Sequence, residues 1–301
     1  MKTNGIRPTL TGRPDNLLRL ADGRLLGYGE FGDPNGTPVM LFHGFPGSRL
    51  TAAIGHEAAS RAGVRVIAPD RPGMGISTFL PGRRIIDWPN DVARLADALG
   101  LRTFAVAGVS GGGPYAAACA ARLGERLTGA AIISGVAPFD APGASDGLNR
   151  MNRLLSFMGR RTPWLARLPM LVMARAARSP ERAIDRMVAS MPAPDRAVIQ
   201  RPEVRTAFAL DLAEAFRAGS RGPAWEMVLY SRSWEFRLED IEMEVLLWQG
   251  EADTNVPPSM GRYQAAAIPR CRATFFPGEG HLLIIDRMEE ILGAVVARPV
   301  A

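Results

Sequence analysis

Lysine is almost missing from this chain of 301 residues. Lys2 is the only one, so the formal charge of +6 is carried by arginine scattered along the whole length. Without a Gly-Lys pair in a glycine-rich loop there is no Walker-type phosphate site, and without an internal lysine no Schiff-base cofactor can be held. The even spread of arginine reads as a compositional habit of the source. No dense basic run interleaved with aromatics is there to suit a nucleic acid, and none is expected as a partner. Cysteine is nearly as scarce: Cys119 and Cys271 stand alone. With only His43, His56 and His281 beside them, no zinc-type spacing can be assembled, so the expectation is no metal, no cofactor and inert thiols in a reducing compartment. The first residues lack the apolar stretch of a signal peptide. The longest uncharged run, 103–121, is broken by Gly108, Gly111, Gly112, Gly113 and Pro114, which suits a buried strand, turn and helix rather than a membrane helix. These absences predict a soluble cytoplasmic protein acting on a small molecule, with no stable membrane insertion and with a homodimer permitted.

What is present is ordinary globular material, 47% hydrophobic and 22% charged, long enough for one large domain or one domain with an insertion. Two short strands at 17–20 and 24–30 flank the turn pair Asp22-Gly23. Compact apolar runs then recur at 39–42, 64–68, 104–108 and 130–133, with helix-period sequence between them. That alternation predicts an α/β fold, a mostly parallel sheet covered by helices on both faces. From 139 to 235 the strand signal stops and helical sequence takes over; strands resume at 245–248 and 273–276, and a final helix runs from about 287 to 297. The economical division is a core of 1–138 plus 236–301, with 139–235 inserted as a helical cap.

The segment Phe104-Ala-Val-Ala-Gly-Val-Ser-Gly-Gly-Gly-Pro-Tyr115 carries the chemistry. It reads as strand, then Gly-x-Ser-x-Gly across 108–112, then an alanine-rich helix, the context a nucleophile elbow requires. Such a turn lifts Ser110 above the sheet at a helix N-terminus, where backbone N–H groups favour developing negative charge. A serine hydroxyl needs a base. His281 follows the last strand in a glycine-rich loop, whereas His56 falls mid-helix and reads as a surface residue. Asp253 follows the strand 245–248 and precedes a helix beginning near Pro257 or Pro258, with Glu251 as the fallback acid. The order Ser110, Asp253, His281 is that of α/β-hydrolases, and all three lie at strand ends along one edge of the sheet.

The segments His43-Gly44-Phe45-Pro46-Gly47, Asp70-Arg71-Pro72-Gly73-Met74-Gly75-x-Ser77, 108–112, Gly250-Glu-Ala-Asp253 and Gly280-His281 together resemble the α/β-hydrolase superfamily. The resemblance spans about 17–290 and implies an oxyanion hole formed by the backbone N–H groups of Phe45 and Gly111. It leaves His43 a structural part in bracing its loop. Gly111 departs from the pattern, since many relatives carry a larger side chain there, and the departure implies extra room or mobility above that hole. Phe45, Trp225, Tyr230 and Trp234 are the aromatics expected to touch substrate; packing of the hinge, together with Phe236, is the alternative for those of the cap.

Two other patterns carry less. Gly27-Tyr-Gly-Glu-Phe-Gly32 matches a dinucleotide fingerprint as text, but Asp33-Pro-Asn-Gly36 after it is turn chemistry and opens no helix. Arg150, Arg153, Arg160, Arg161, Arg167, Arg175, Arg178, Arg182 and Arg186, interleaved with apolar residues from Met151 to Leu171, suggest a solvated face on cap helices whose apolar side covers the site. A basic amphipathic face on a membrane, or an entrance for an anionic substrate, is the competing reading. The resulting expectation is a serine hydrolase that cleaves an ester, lactone or thioester with an apolar portion. An aminopeptidase, a carbon–carbon bond hydrolase, a perhydrolase and a binding protein on the same scaffold are the alternatives.

Overall fold

Each predicted apolar run becomes a strand because its residues are buried on both faces. In the computed structural model, β3 (Thr37–Phe42), β4 (Val64–Pro69), β5 (Phe104–Val109), β6 (Leu127–Ile133) and β7 (Val245–Gly250) form the interior of an eight-stranded sheet. The edges are β1 (Arg13–Arg19), which pairs antiparallel with β2 (Leu25–Gly32), and β8 (Cys271–Phe276). Strand order is β1-β2-β4-β3-β5-β6-β7-β8; β2 runs antiparallel to β4, and from β4 to β8 the pairing is parallel. The description covers residues 11–139, 141, 143, 146–148 and 150–297, without the side chains of 150 and 151. The expectations for the first ten residues, for the side chains of Arg150 and Met151 and for 298–301 lie outside the described residues.

Alternation along each strand sorts side chains to two cores. Met40, Phe42, Ile67, Val106 and Ile132 face one side, where α2 (Trp88–Ala98) and α3 (Gly113–Arg122) pack. Val39, Leu41, Val66, Ala105 and Ile133 face the other, where α1 (His56–Arg61) and α11 (Leu283–Val296) lie. The last helix thus begins four residues earlier than its sequence pattern suggests, because Leu283 and Ile284 are already buried against the sheet. His56 opens α1, and its Nδ1 accepts the Gly32 N–H at 3.0 Å, tying that helix to the end of β2. Gly27 and Gly29 lie within β2, Gly27 paired with Leu17 of β1 and Gly29 with Ala68 of β4, so the dinucleotide-like text belongs to a strand.

Between β6 and β7 the described residues form α4 (Arg150–Arg161), α5 (Arg167–Ala176), α6 (Pro180–Val188), α7 (Ala193–Ile199), α8 (Pro202–Ala215) and α9 (Arg221–Tyr230). Leu155, Met158 and Met170 turn inward, as expected of a covering face. Leu154, Phe157, Trp164, Leu168 and Leu171 do not: they are exposed together with Val172. The expectation of one apolar side turned to the site therefore needs correcting, since α4 and α5 carry apolar residues on both sides. Among the described residues no helix is long and apolar enough to cross a membrane.

Close backbone approach explains the glycines of the elbow. A Cβ on Gly112 would lie 2.2 Å from the Phe42 carbonyl oxygen, and one on Gly108 2.3 Å from that of Gly112. Gly112→Ala must push β3 and the elbow apart, and is expected to cost about 1–3 kcal/mol. Gly124→Ala, whose new methyl meets nothing within 4 Å, should stay within about 0.5 kcal/mol of wild type. Urea unfolding of both variants checks this; equal midpoints would contradict it.

Candidate active site

The carboxyl ends of β3, β5, β7 and β8 bring the sequence-predicted residues to one edge of the sheet. Order reverses there, with β4 added on one side of β3 and β5 on the other, the place where open α/β sheets bind ligands. Ser110 follows β5 directly in a single turn that leads into α3, with φ of 54°. A non-glycine residue in the left-handed region is strained, and here it holds Ser110, largely buried, at the top of the turn.

Asp253 is buried in the loop after β7, and its Oδ2 lies 2.7 Å from His281 Nδ1. Its Oδ1 accepts the N–H groups of Asn255 at 2.8 Å and Val256 at 2.9 Å, while Gln249 Nε2 donates to Oδ2 at 3.3 Å. Those donors fix the carboxylate, and the carboxylate fixes the ring: Nδ1 carries the hydrogen and Nε2 is left to accept a proton. Burial presses the His281 pKa down, but the charge and hydrogen bond of Asp253, helped by Asp195, outweigh it and hold the pKa above the usual 6.5. Ser110 and His281 line one cavity, although no hydrogen bond joins their side chains among the described residues. Such bonds commonly tighten when substrate binds. Glu251, the fallback acid, pairs with Arg262 at the surface instead.

The loop after β3 stands against Ser110: a Cβ on Gly44 would lie 3.5 Å from Ser110 Cβ. His43 braces it. Its Nδ1 donates to the Gly44 carbonyl at 2.8 Å, and its Nε2 accepts the Arg71 N–H at 3.3 Å. Burial and the neighbouring Arg71 push its pKa well below the usual value, so it stays neutral. The Arg71 guanidinium donates to the carbonyls of His43 (2.6 Å) and Gly44 (2.9 Å) and pairs with Glu226 Oε1 at 2.7 Å. Arg83 pairs with the other Glu226 oxygen and donates to Tyr115 Oη at 2.9 Å. Sequence reasoning missed Glu226 and Arg83; an acid between Trp225 and Met227 in a largely apolar helix was the available signal.

Gly111 is where expectation and structure part. A Cβ there would lie 2.5 Å from Tyr230 Oη and 2.8 Å from Phe45 Cβ. The space is therefore filled, not open: Tyr230 from α9 occupies what a side chain at 111 would need. Tyr230 Oη lies 2.7 Å from Glu226 Oε1 and 2.9 Å from the Gly111 carbonyl, both acceptors for its proton. Phe45 and Tyr230 meet edge to face, with ring centroids 5.6 Å apart, and both line the site. Trp225 and Trp234 line neither cavity at Ser110, correcting the expectation for them. The Trp225 indole donates to the Arg83 carbonyl at 2.9 Å, and Trp234 is buried beside Phe236.

Asp195, on α7, was also missed. Its Oδ1 accepts the Leu282 N–H at 2.8 Å, so a helix outside the sheet grips the loop that carries His281. A Cβ on Gly280 would strike the same oxygen at 2.3 Å.

Two cavities meet at Ser110, and Phe45 and Asn255 line both. One, of about 180 Å³, is walled by His281 and by apolar residues including Ile54, Met173, Ile184 and Phe208. The other, of about 90 Å³, is walled by Gly111, Tyr230, Val136, Phe139 and Leu148, with Asn152 and Ser156. A wider recess of about 310 Å³ lies elsewhere, and its Arg24 and Arg84 are paired with Asp22, Asp91 and Asp87. Among the described residues no cluster of side chains could hold a metal ion.

Burial raises the Glu226 pKa, but Arg71, Arg83 and the Tyr230 hydroxyl outweigh it and hold the carboxyl at about 2, against an ordinary 4.5. A depressed acid stabilises the fold above its unfolded pKa, and that stability is lost as pH falls through the folded value. Glu226→Gln leaves two buried guanidinium groups short of a counter-charge, and should cost about 3–5 kcal/mol near neutral pH. The gap to wild type should narrow between about pH 5 and pH 2. Denaturant titrations across that range check it; a pH-independent gap would contradict it.

Residues 37–287 match the family model described as alpha/beta hydrolase fold. Over 113 residues the chain is 35% identical to the dihydrolipoyllysine-residue acetyltransferase component of an acetoin cleaving system from Pseudomonas putida, covering 37% of this chain and 30% of that one. The chain thus spans less than a third of that relative's length. Among solved structures it is similar to a bromoperoxidase from Bacillus anthracis, with TM-score 0.70, 21% identity and coverage of 94% and 98% of the two chains. It is also similar to an enol-lactonase from Burkholderia xenovorans LB400, with TM-score 0.68, 22% identity and the same coverage. At such identity these two likenesses speak to the fold. The family model takes in every strand end described above, from β3 to the start of α11, and the chain belongs to the alpha/beta hydrolase fold family.

Proposed function

We propose that this hydrolase cleaves a small to medium, hydrophobic carboxylic ester, lactone or thioester through an acyl-enzyme on Ser110. The observation that carries the reading is the Asp253–His281 hydrogen bond of 2.7 Å, with His281 sharing the wall of an apolar cavity with a strained Ser110. His281 Nε2 takes the Ser110 proton as Oγ bonds to the substrate carbonyl carbon. The carbonyl oxygen becomes an oxyanion, accepting from the backbone N–H groups of Phe45 and Gly111. As the carbon–oxygen or carbon–sulfur bond to the leaving group breaks, His281 returns the proton to that leaving atom. Water then attacks the acyl-serine with His281 again as base, releasing the acid and restoring Ser110. Asp253 keeps the imidazole in the required tautomer and stabilises its charged form. His43, neutral and enclosed, serves the loop and not the proton.

An aminopeptidase needs a carboxylate free to meet an amino terminus. Asp211 reaches the larger cavity, but its oxygens accept from Ser48 N at 2.8 Å, Ser48 Oγ at 2.6 Å and Thr51 Oγ1 at 2.7 Å. Glu214, beside it on α8, is engaged by Arg49 at 2.8 Å. The apolar lining of the larger cavity favours an ester, lactone or thioester with an apolar portion.

A fluorophosphonate probe tests the reading. Wild type should be labelled at Ser110, and Ser110→Ala and His281→Ala should not be. A protonated His281 cannot act as base, so the labelling rate should rise with pH along a titration whose midpoint lies above 6.5, the ordinary histidine value. Folded protein that takes up no probe, or takes it up at another residue, would overturn the reading.

A further inference from the structure

We propose that the two cavities divide an ester at Ser110. On this assignment the larger cavity receives the alcohol portion and the smaller one the acyl portion, so the preferred substrates join a short acyl group to a bulkier, apolar alcohol. The inference rests on the serine hydrolase reading above and adds a direction to it. When the acyl-enzyme forms, the ester oxygen leaves with the proton that His281 returns, so the leaving group must lie on the His281 side. His281 lines the larger cavity and not the smaller, whereas Gly111 lines only the smaller. With the carbonyl oxygen turned to the Phe45 and Gly111 N–H groups, the acyl chain is left the cavity beyond Gly111.

Capacity follows from volume. An apolar cavity of about 150 Å³ holds benzene, so the 180 Å³ on the His281 side takes a ring or a chain of comparable bulk. The 90 Å³ beyond Gly111 is about three fifths of that benzene-sized space, room for an acyl group of about two to four carbons. The walls differ in how far they can yield. Met173, Met187, Met191 and Met288 border the larger cavity, and methionine's unbranched side chain adapts to varied shapes. The smaller cavity has two methionines, Met227 and Met260, but both are buried, Met260 against Val256 and Leu148, whereas Met187 is exposed and Met173 and Met191 are half-buried. Its outer wall, α4, is held against α9 so closely that a Cβ on Gly159 would lie 2.4 Å from Ser231 Oγ. Selectivity should therefore be strict for the acyl chain and tolerant for the alcohol.

Hexyl acetate and ethyl hexanoate are isomers of equal size that place the long chain on opposite sides of the ester. The wild-type kcat/KM should favour hexyl acetate by at least about 10-fold. Leu155→Ala, which widens the smaller cavity, should raise the relative rate on ethyl hexanoate. Met191→Trp, which fills the larger one, should cut hexyl acetate more than ethyl acetate. If a variant does not fold, the wild-type ratio still decides. Equal rates, or a preference for ethyl hexanoate, in protein that the fluorophosphonate labels at Ser110 would overturn the assignment alone. Protein that is folded but not labelled would instead overturn the serine hydrolase reading, and the assignment with it.

Discussion

The buried carboxylate of Glu226 is the contact on which the arrangement above the sheet depends. It lies fully out of solvent on α9, facing Arg71 from the turn after β4 and Arg83 from the segment before α2. A charge so placed is tolerated only when it is paired and hydrogen-bonded, and here every partner is also a positioning device. Arg71, held by Glu226, grips the carbonyls of His43 and Gly44 and so sets the loop that presents Phe45 beside Ser110. Tyr230, held by the same carboxylate, fills the space over Gly111. One acid thus joins the ends of β3, β4 and β5 to a helix far away in sequence.

The inserted helices reach the chemistry at a second point. Asp195 on α7 grips the loop of His281 from one side, while Asp253 holds its ring from below. His281 is therefore positioned by two carboxylates from two parts of the chain, and both favour its protonated form. Helices of the same segment wall both cavities, so His281 and the space beside Ser110 are shaped by one stretch of chain.

The sheet was legible in the sequence because β3 to β7 are buried on both faces and so read as short, continuous apolar runs. Ser110 and Asp253 were legible for a related reason, each standing in a glycine-containing segment just beyond such a run, and His281 stands in a glycine-containing segment just beyond the half-exposed edge strand β8. The support of the site was not. Arg71 and Glu226 are 155 positions apart, and Arg83 and Glu226 are 143 apart, so only the folded chain makes them neighbours. Nor could the aromatics be sorted. Helix α9 is buried over most of its circumference, from Gly222 to Tyr230, and such a helix has no polar face to reveal which side meets substrate. Tyr230 and Trp225 therefore looked alike, although one lines the site and the other braces Arg83. Gly111 misled for a similar reason: a missing side chain reads as room until Tyr230 is seen in it.

The central claim is that an acyl group passes through Ser110 Oγ. Acid-quenching a reaction with an acetate ester during its first turnovers, then sequencing the peptides by mass spectrometry, tests this most directly. The peptide containing Ser110 should carry one acetyl group on that serine, and the modification should vanish once substrate is consumed. Full turnover with Ser110 never acylated, or with the acetyl group on another residue, would contradict the claim.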